Sequence, residues 1–125
     1  MNSPSENLIA HAVFDEILSR YARNPYVVVG YGKGGLWQEK PLLSTKCAIK
    51  KALEMIRSRQ RLHNLVLFAP LIHSLKDLAF LHTQGIMLDI YVGQNDENAS
   101  VILDSCAAFG VVRFYKNISF CDCVK

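Results

Sequence analysis

Four short apolar runs alternate with segments of helical periodicity, and this order restricts the fold more than any other feature of the chain. The runs are Tyr26–Tyr31, Leu65–Ala69, Ile86–Val92 and Val111–Tyr115. The second run has no polar residue, which is typical of a strand covered on both faces. Helices between successive strands favour parallel pairing, because each helix returns the chain to the same end of the sheet. We therefore predict an α/β fold, namely a small three-layer α/β/α domain with a mainly parallel sheet of four to five strands and an extra N-terminal helix.

Capping residues and prolines set the predicted helix boundaries. Ser3, Pro4 and Glu6 form a helix start, and Asn24-Pro25 ends this first helix near Arg23. A second helix is predicted from Ser44 or Thr45 to about Gln60, a third from Ile72 to the cap at Gly85, and a fourth from Asn95 or Asp96 to Phe109. The segment Gly32–Leu43 is predicted to be a loop or an irregular excursion, and Ile118–Val124 to add a short strand.

Length and composition bound the class of protein. With 125 residues, half of them hydrophobic, the chain is expected to form one α/β domain over residues 1–125. No apolar run approaches the roughly 18 residues needed to cross a bilayer. The N-terminus lacks the basic and apolar regions of a signal peptide, so we predict a cytoplasmic location, thiol cysteines and no membrane partner. The net charge of +3 permits contact with nucleic acid without requiring it.

The sequence YVVVGYGKGGLW, residues 26–37, leads a predicted strand into a glycine-rich loop. In open parallel sheets, ligands bind beyond the carboxyl ends of the strands, where helix N-termini also favour anions. This rule predicts a ligand site in the loops that follow the strands. The predicted ligand-binding residues are Tyr31, Lys33, Gly34, Gly35, Trp37, His73 and Asn95.

The glycine-rich loop has a simpler interpretation. It matches neither the P-loop pattern nor the dinucleotide-binding pattern, since no Ser or Thr follows Lys33 and no helix opens at its last glycine. Turns with positive φ would account for its glycines without any ligand, and we favour that interpretation. Trp37 either anchors the loop on the core or forms part of an interface.

Helix two carries the densest positive charge of the chain. Lys46, Lys50, Arg57 and Arg61 fall on one face at helical spacing and are the predicted nucleic-acid-binding residues. The alternative is a solvated helix face with ion pairs, because Glu54 lies within i, i+3 or i+4 reach of its neighbours.

Other polar residues give no further site. The histidines and cysteines have no metal-ligand spacing, and no nucleophile–base pair is evident, so we predict no metal, no cofactor and no catalytic residue. Asp89 interrupts an apolar strand, and in a central strand this carboxylate would need a partner. The alternatives are an edge strand with one solvent-exposed face or a dimer contact, and we favour the edge strand because Asp is rarely buried unpaired.

Three functions are compatible with these patterns. The first and favoured one is a non-catalytic module that binds nucleic acid or another phosphate-bearing ligand through the glycine-rich loop and helix two. The second is a self-association or protein-binding module that forms a homo-oligomer through Trp37 and the predicted edge strand. The third is a small hydrolase or transferase that uses Lys33, His73 and Asp96 on a phosphate-bearing substrate.

Overall fold

Helices and parallel strands alternate in the computed structural model of this chain, which describes residues 15–16, 18–71, 75–93, 100–102, 104 and 113–118. The strands are β1 (Val27–Tyr31), β2 (Gly35–Trp37), β3 (Lys40–Leu42), β4 (Asn64–Phe68), β5 (Met87–Gly93) and β6 (Arg113–Ile118). The helices are α1 (Thr45–Arg57) and α2 (Leu75–Thr83), and residues 15–16, 18–22, 100–102 and 104 are also helical. This mixture of helices with a parallel sheet agrees with the predicted α/β class.

The sheet has the order β1-β4-β5-β6, and each neighbouring pair is parallel. Its register aligns Val29, Val66, Asp89 and Arg113 across the four strands. Each crossover therefore moves one strand further in the same direction. Right-handed crossovers of this kind place their helices on the same face of the sheet. The described strands consequently form no switch point, the crevice that opens where the strand order reverses.

One face of the sheet packs against α1 and α2. The small residues Ala48 and Ala52 of α1 are fully buried, and they let the helix approach the strands closely. Helical spacing puts them on the same side as Ile49 and Met55, which is the side that the strands cover. The strand residues in this cluster are Val28, Leu65, Leu67 and Leu88.

The opposite face of the sheet packs against the N-terminal helical residues and the β2–β3 segment. Leu18 is buried there against Val66, Phe68 and Tyr91, and the Phe68 and Tyr91 rings stack with centroids 4.8 Å apart. Alternate residues of β4 thus enter different clusters, as the two-residue period of a strand requires. Both faces of this central strand are apolar because both are covered, as its uninterrupted hydrophobic run predicts.

The predicted excursion at Gly32–Leu43 is instead a β-hairpin. β2 and β3 pair antiparallel, and Trp37 lies opposite Lys40 at the closed end. The two turn residues, Gln38 and Glu39, have φ values of 48° and 62°. Positive φ at both positions matches the twist of a two-residue hairpin. The sequence signal was missing because such turns usually contain Asn or Gly, and this one has neither.

The edge-strand interpretation of Asp89 is wrong. β5 lies between β4 and β6, and Asp89 is 0% exposed. Its Oδ2 accepts a hydrogen bond of 2.9 Å from the Asn64 side-chain amide. A carboxylate can be buried when such donors compensate for the water it loses. The partner comes from a strand 25 residues away in sequence, which local patterning does not reveal.

Most predicted boundaries hold to within three residues inside the described part of the chain. α1 begins after the N-cap Ser44 but ends at Arg57, before the predicted Gln60. α2 ends at Thr83, two residues before the predicted cap Gly85. The predicted start of helix one, the start of helix three at residues 72–74, both ends of helix four and nearly all of the tail strand lie outside the described residues.

Candidate ligand-binding surfaces

The glycines near the end of β1 and in the loop that follows are explained by packing and by turns. A Cβ on Gly30 would lie 2.7 Å from the Ala48 Cβ, so only glycine lets β1 approach α1 this closely. Gly34 has a φ of 96°, which glycine adopts without strain, and Gly35 begins β2. Lys33 is exposed on the turn before Gly34. These positions support the interpretation of the glycines as structural.

Hydrogen bonds join this loop to the start of α1. The Thr45 N–H donates to the Gly32 carbonyl at 2.8 Å, and the Ser44 hydroxyl accepts from the Cys47 N–H at 3.2 Å. Two donors of the first helical turn are therefore already bonded within the chain. Fewer backbone donors are therefore available to an anion here, and the exposed Lys33 lies in the segment that these bonds fix against the helix.

A groove of about 290 Å³ lies between α1 and α2. Its apolar lining comes from Ile49 and Leu53 of α1 and from Leu71, which follows β4. The Leu71 N–H donates to the buried Thr45 hydroxyl at 3.3 Å, which ties the segment after β4 to the first turn of α1. The charged lining residues are Lys46, Lys50, Glu54, Arg57 and Asp77, and we call this feature the α1 groove.

Three of the four predicted nucleic-acid-binding residues line the α1 groove, and the fourth does not. Arg61 follows the end of the helix, and its guanidinium carbon lies 5.6 Å from the centroid of the Tyr26 ring. The His63 ring lies on the same tyrosine, with centroids 5.0 Å apart. Arg61 therefore contacts an aromatic ring near the start of β1 rather than extending the basic face of α1.

Within the described ranges, no carboxylate lies within 4.0 Å of the basic side chains of the α1 groove. Among the described residues, the ion pair within 4.0 Å is the exposed Arg20–Glu16 pair of the N-terminal helical segment. Glu54 pairs with neither Lys50 nor Arg57 at that distance. The described part of α1 thus presents basic side chains without the intrahelical ion pairs that the alternative interpretation expected.

Trp37 anchors the hairpin. Its indole N–H donates to Asp15 Oδ1 at 2.8 Å, and its side chain packs with Tyr31 against the cluster that contains Phe68. This contact corresponds to the anchor interpretation of Trp37. His73 and Asn95, the remaining predicted ligand-binding residues, lie outside the described residues.

A second cleft, of about 420 Å³, opens beside the hairpin. The two cations among its described lining residues come from separate elements, Arg23 from the end of the N-terminal helical segment and Lys40 from β3. Sequence reasoning did not place Arg23 in a site, since its position at a helix end gives no sign of a partner in the hairpin. The lining residues are Ser19, Ala22, Arg23, Trp37, Gln38 and Lys40, and we call this feature the Trp37 cleft.

Comparisons with family models, with curated proteins and with solved structures gave no match. Function is therefore inferred from the residues and geometry of this chain. In the described part of the chain, no group of three His, Cys, Asp or Glu side chains is placed to hold a metal ion, and no helix is long and apolar enough to cross a membrane. Two residues of the hypothetical catalytic set, His73 and Asp96, lie outside that part.

Proposed function

We propose that the protein is a non-catalytic module that binds a phosphate-bearing ligand, with nucleic acid as the favoured class, along α1 and the adjoining loop. The observation that carries the proposal is the set of groove cations Lys46, Lys50 and Arg57, which have no carboxylate partner within 4.0 Å among the described residues. Lys33 adds a fourth cation, on the loop that is hydrogen-bonded to the start of the same helix.

The spacing of these cations suits a phosphate backbone. Lys46 to Arg57 covers 11 residue steps of α1, or about 16 Å of helix axis. One DNA strand rises about 3.4 Å per phosphate, so this length corresponds to roughly five phosphates. Lys46 and Lys50 are one turn apart and lie on one side of the helix. A backbone that follows the helix axis would meet positive charge repeatedly.

The acidic residues of the groove limit the expected affinity. Glu54 and Asp77 line it together with the three cations, so the local charge is only slightly positive. Binding should therefore be moderate and sensitive to salt. With three to four phosphate contacts, the logarithm of the binding constant should fall with a slope of about −3 against the logarithm of salt concentration.

The proposed architecture that presents this surface has three layers. α1 and α2 pack on one face of the sheet, and Leu18 and Tyr21 of the N-terminal helical segment pack on the other. We propose that these form the outer layers of an α/β/α domain, whose basic helix faces solvent on the side away from the sheet. The cytoplasmic location and the homo-oligomeric state stay predictions from sequence.

Fluorescent single- and double-stranded oligonucleotides, titrated with the full chain, test the proposal. Raising salt from about 50 to about 200 mM should weaken binding roughly 60-fold at a slope of −3. Lys33→Ala combined with Lys50→Ala should weaken binding at low salt and make the slope shallower by about two. The matched control is Lys76→Ala, since Lys76 is an exposed lysine of α2 that does not line the groove. Equal affinity of the double variant and this control would contradict the proposal.

A further inference from the structure

We propose that the Trp37 cleft is a separate binding site for a nucleoside monophosphate, with the base against the indole and the phosphate between Arg23 and Lys40. The site shares none of its lining residues with the α1 groove. It therefore does not depend on the function proposed above.

The size and charge of the cleft fit this ligand class. Its volume of about 420 Å³ lies within the range of about 300–1,000 Å³ typical of small-molecule sites. None of the described residues that line it is acidic, whereas the α1 groove contains Glu54 and Asp77. Two cations facing a cleft without lining carboxylates favour a dianionic group such as a phosphate monoester. Ser19 and Gln38 add hydroxyl and amide groups that can bond a base or a ribose.

The indole is held in place beside one of these cations. Trp37 and Lys40 are directly opposite in the hairpin, and such cross-strand neighbours have Cβ atoms about 4.5–5.5 Å apart on one face. The 2.8 Å bond from the indole N–H to Asp15 fixes the other end of the ring. A ring already fixed loses little conformational entropy when a base stacks on it.

Trp37 also borders a neighbouring cleft of about 250 Å³, which runs along β1 and shares Ala22, Trp37 and Lys40 with the first. Its wall includes Val27, Val29 and Leu42. The tryptophan therefore stands between two openings and is only half-buried. Stacking of a base on an aromatic side chain needs exposed ring surface and tolerates any base.

The turn beside the cleft has unfavourable backbone angles. Gln38 and Glu39 both adopt positive φ, although neither is glycine, asparagine or aspartate. Such strained residues concentrate at ligand clamps and other functional sites. Gln38 is one of the residues that line the cleft, so the cleft borders this strained turn.

The chain contains a single tryptophan, so its fluorescence reports on this cleft directly. Adenosine monophosphate, titrated into the full chain, should change the emission saturably, and equilibrium dialysis should give the same affinity. Adenosine and inorganic phosphate should each bind more weakly, because each lacks one half of the recognised group. Arg23→Ala and Lys40→Ala should each weaken binding about three- to fivefold, as expected for exposed charge pairs, while Lys76→Ala should leave it unchanged.

The two proposed sites are distinguished by testing the variants of each site with both ligands, the oligonucleotide and the nucleotide. Lys46→Ala with Lys50→Ala should weaken oligonucleotide binding and leave the nucleotide titration unchanged. The nucleotide site would be refuted if dialysis showed no binding of adenosine monophosphate up to about 10 mM, tenfold above a dissociation constant of about 1 mM. It would also be refuted if Arg23→Ala and Lys40→Ala bound the nucleotide as tightly as Lys76→Ala. The same conclusion would follow if nucleotide binding were weakened only by Lys46→Ala with Lys50→Ala.

Discussion

Replacing Arg59 by glycine should stabilise the protein, because α1 ends in a motif that glycine fits better. The Gln60 N–H donates to the Met55 carbonyl at 2.8 Å, and the Arg59 N–H donates to the Ile56 carbonyl at 3.1 Å. These two bonds define a Schellman motif. In this motif the residue after the C-cap adopts a left-handed backbone conformation and is usually glycine. Arg59 occupies that position with a φ of 57°.

The end of α2 provides an internal comparison. The Ile86 N–H donates to the Leu81 carbonyl at 3.2 Å, and the Gly85 N–H donates to the His82 carbonyl at 3.0 Å. Gly85 has a φ of 81°, and a Cβ added there would have no neighbouring atom within 4 Å. Substitution of Gly85 therefore tests backbone strain without a steric clash.

The expected magnitude follows from two opposing terms. A left-handed conformation costs a non-glycine residue about 1–2 kcal/mol, which Arg59→Gly would relieve. Glycine also raises the entropy of the unfolded chain, which costs about 0.4–1 kcal/mol. Arg59→Gly should thus stabilise the fold by about 0.8 kcal/mol, and Gly85→Ala should destabilise it by about the same amount.

Urea unfolding, followed by the emission of Trp37, measures both changes. With an m-value of about 1.6 kcal/mol per M, the midpoint should rise by about 0.5 M for Arg59→Gly and fall by about 0.5 M for Gly85→Ala. The m-values themselves should not change. A lower midpoint for Arg59→Gly, or an unchanged midpoint for Gly85→Ala, would refute the assignment of strain to this position.

Three other substitutions test the packing that positions the candidate surfaces. Gly30→Ala adds a Cβ 2.7 Å from an α1 side-chain atom, and the free energy of unfolding in urea should fall by about 1–3 kcal/mol. An unchanged urea midpoint would argue against the close approach of β1 and α1. Asn64→Ala removes one donor to the buried Asp89 carboxylate and should cost about 1.5–3 kcal/mol, measured by thermal unfolding. A loss below the error of the method would mean that this bond contributes nothing. Asp15→Ala removes the acceptor of the Trp37 indole N–H, so the tryptophan emission should shift and the free energy of unfolding should fall by about 0.5–1 kcal/mol. An unchanged emission spectrum would count against that hydrogen bond.

Features that depend on neighbouring residues were predictable from the sequence. The apolar run of β4, the N-cap Ser44 and the end of α2 before Gly85 follow from hydrophobic period and capping chemistry. The shared face of Lys46, Lys50 and Arg57 follows from the helical repeat, and the structure puts all three in one groove. These signals act within a few residues, so a single sequence contains them in full.

Features that depend on distant residues were not predictable in this way. Arg61 does not continue the basic face because α1 ends at Arg57. The residue with left-handed backbone angles after this end is Arg59 rather than glycine, so the sequence does not indicate where the helix ends. The Trp37 cleft combines Arg23 with Lys40, two cations 17 positions apart that only the placement of the hairpin brings together. No periodicity within either segment indicates the other.

Local sequence patterns predict an alternating α/β chain, an α1 helix with a basic side, and a glycine-rich segment after β1. Only the folded chain shows the strand order β1-β4-β5-β6, the burial of Asp89 in an inner strand and the folding of the glycine-rich segment into a hairpin anchored through Trp37. The two sets of features differ in the sequence distance between the residues that produce them. Hydrophobic period and capping are set by contacts within a turn or two, whereas strand order, burial and clefts depend on the pairing of segments that are far apart in the chain.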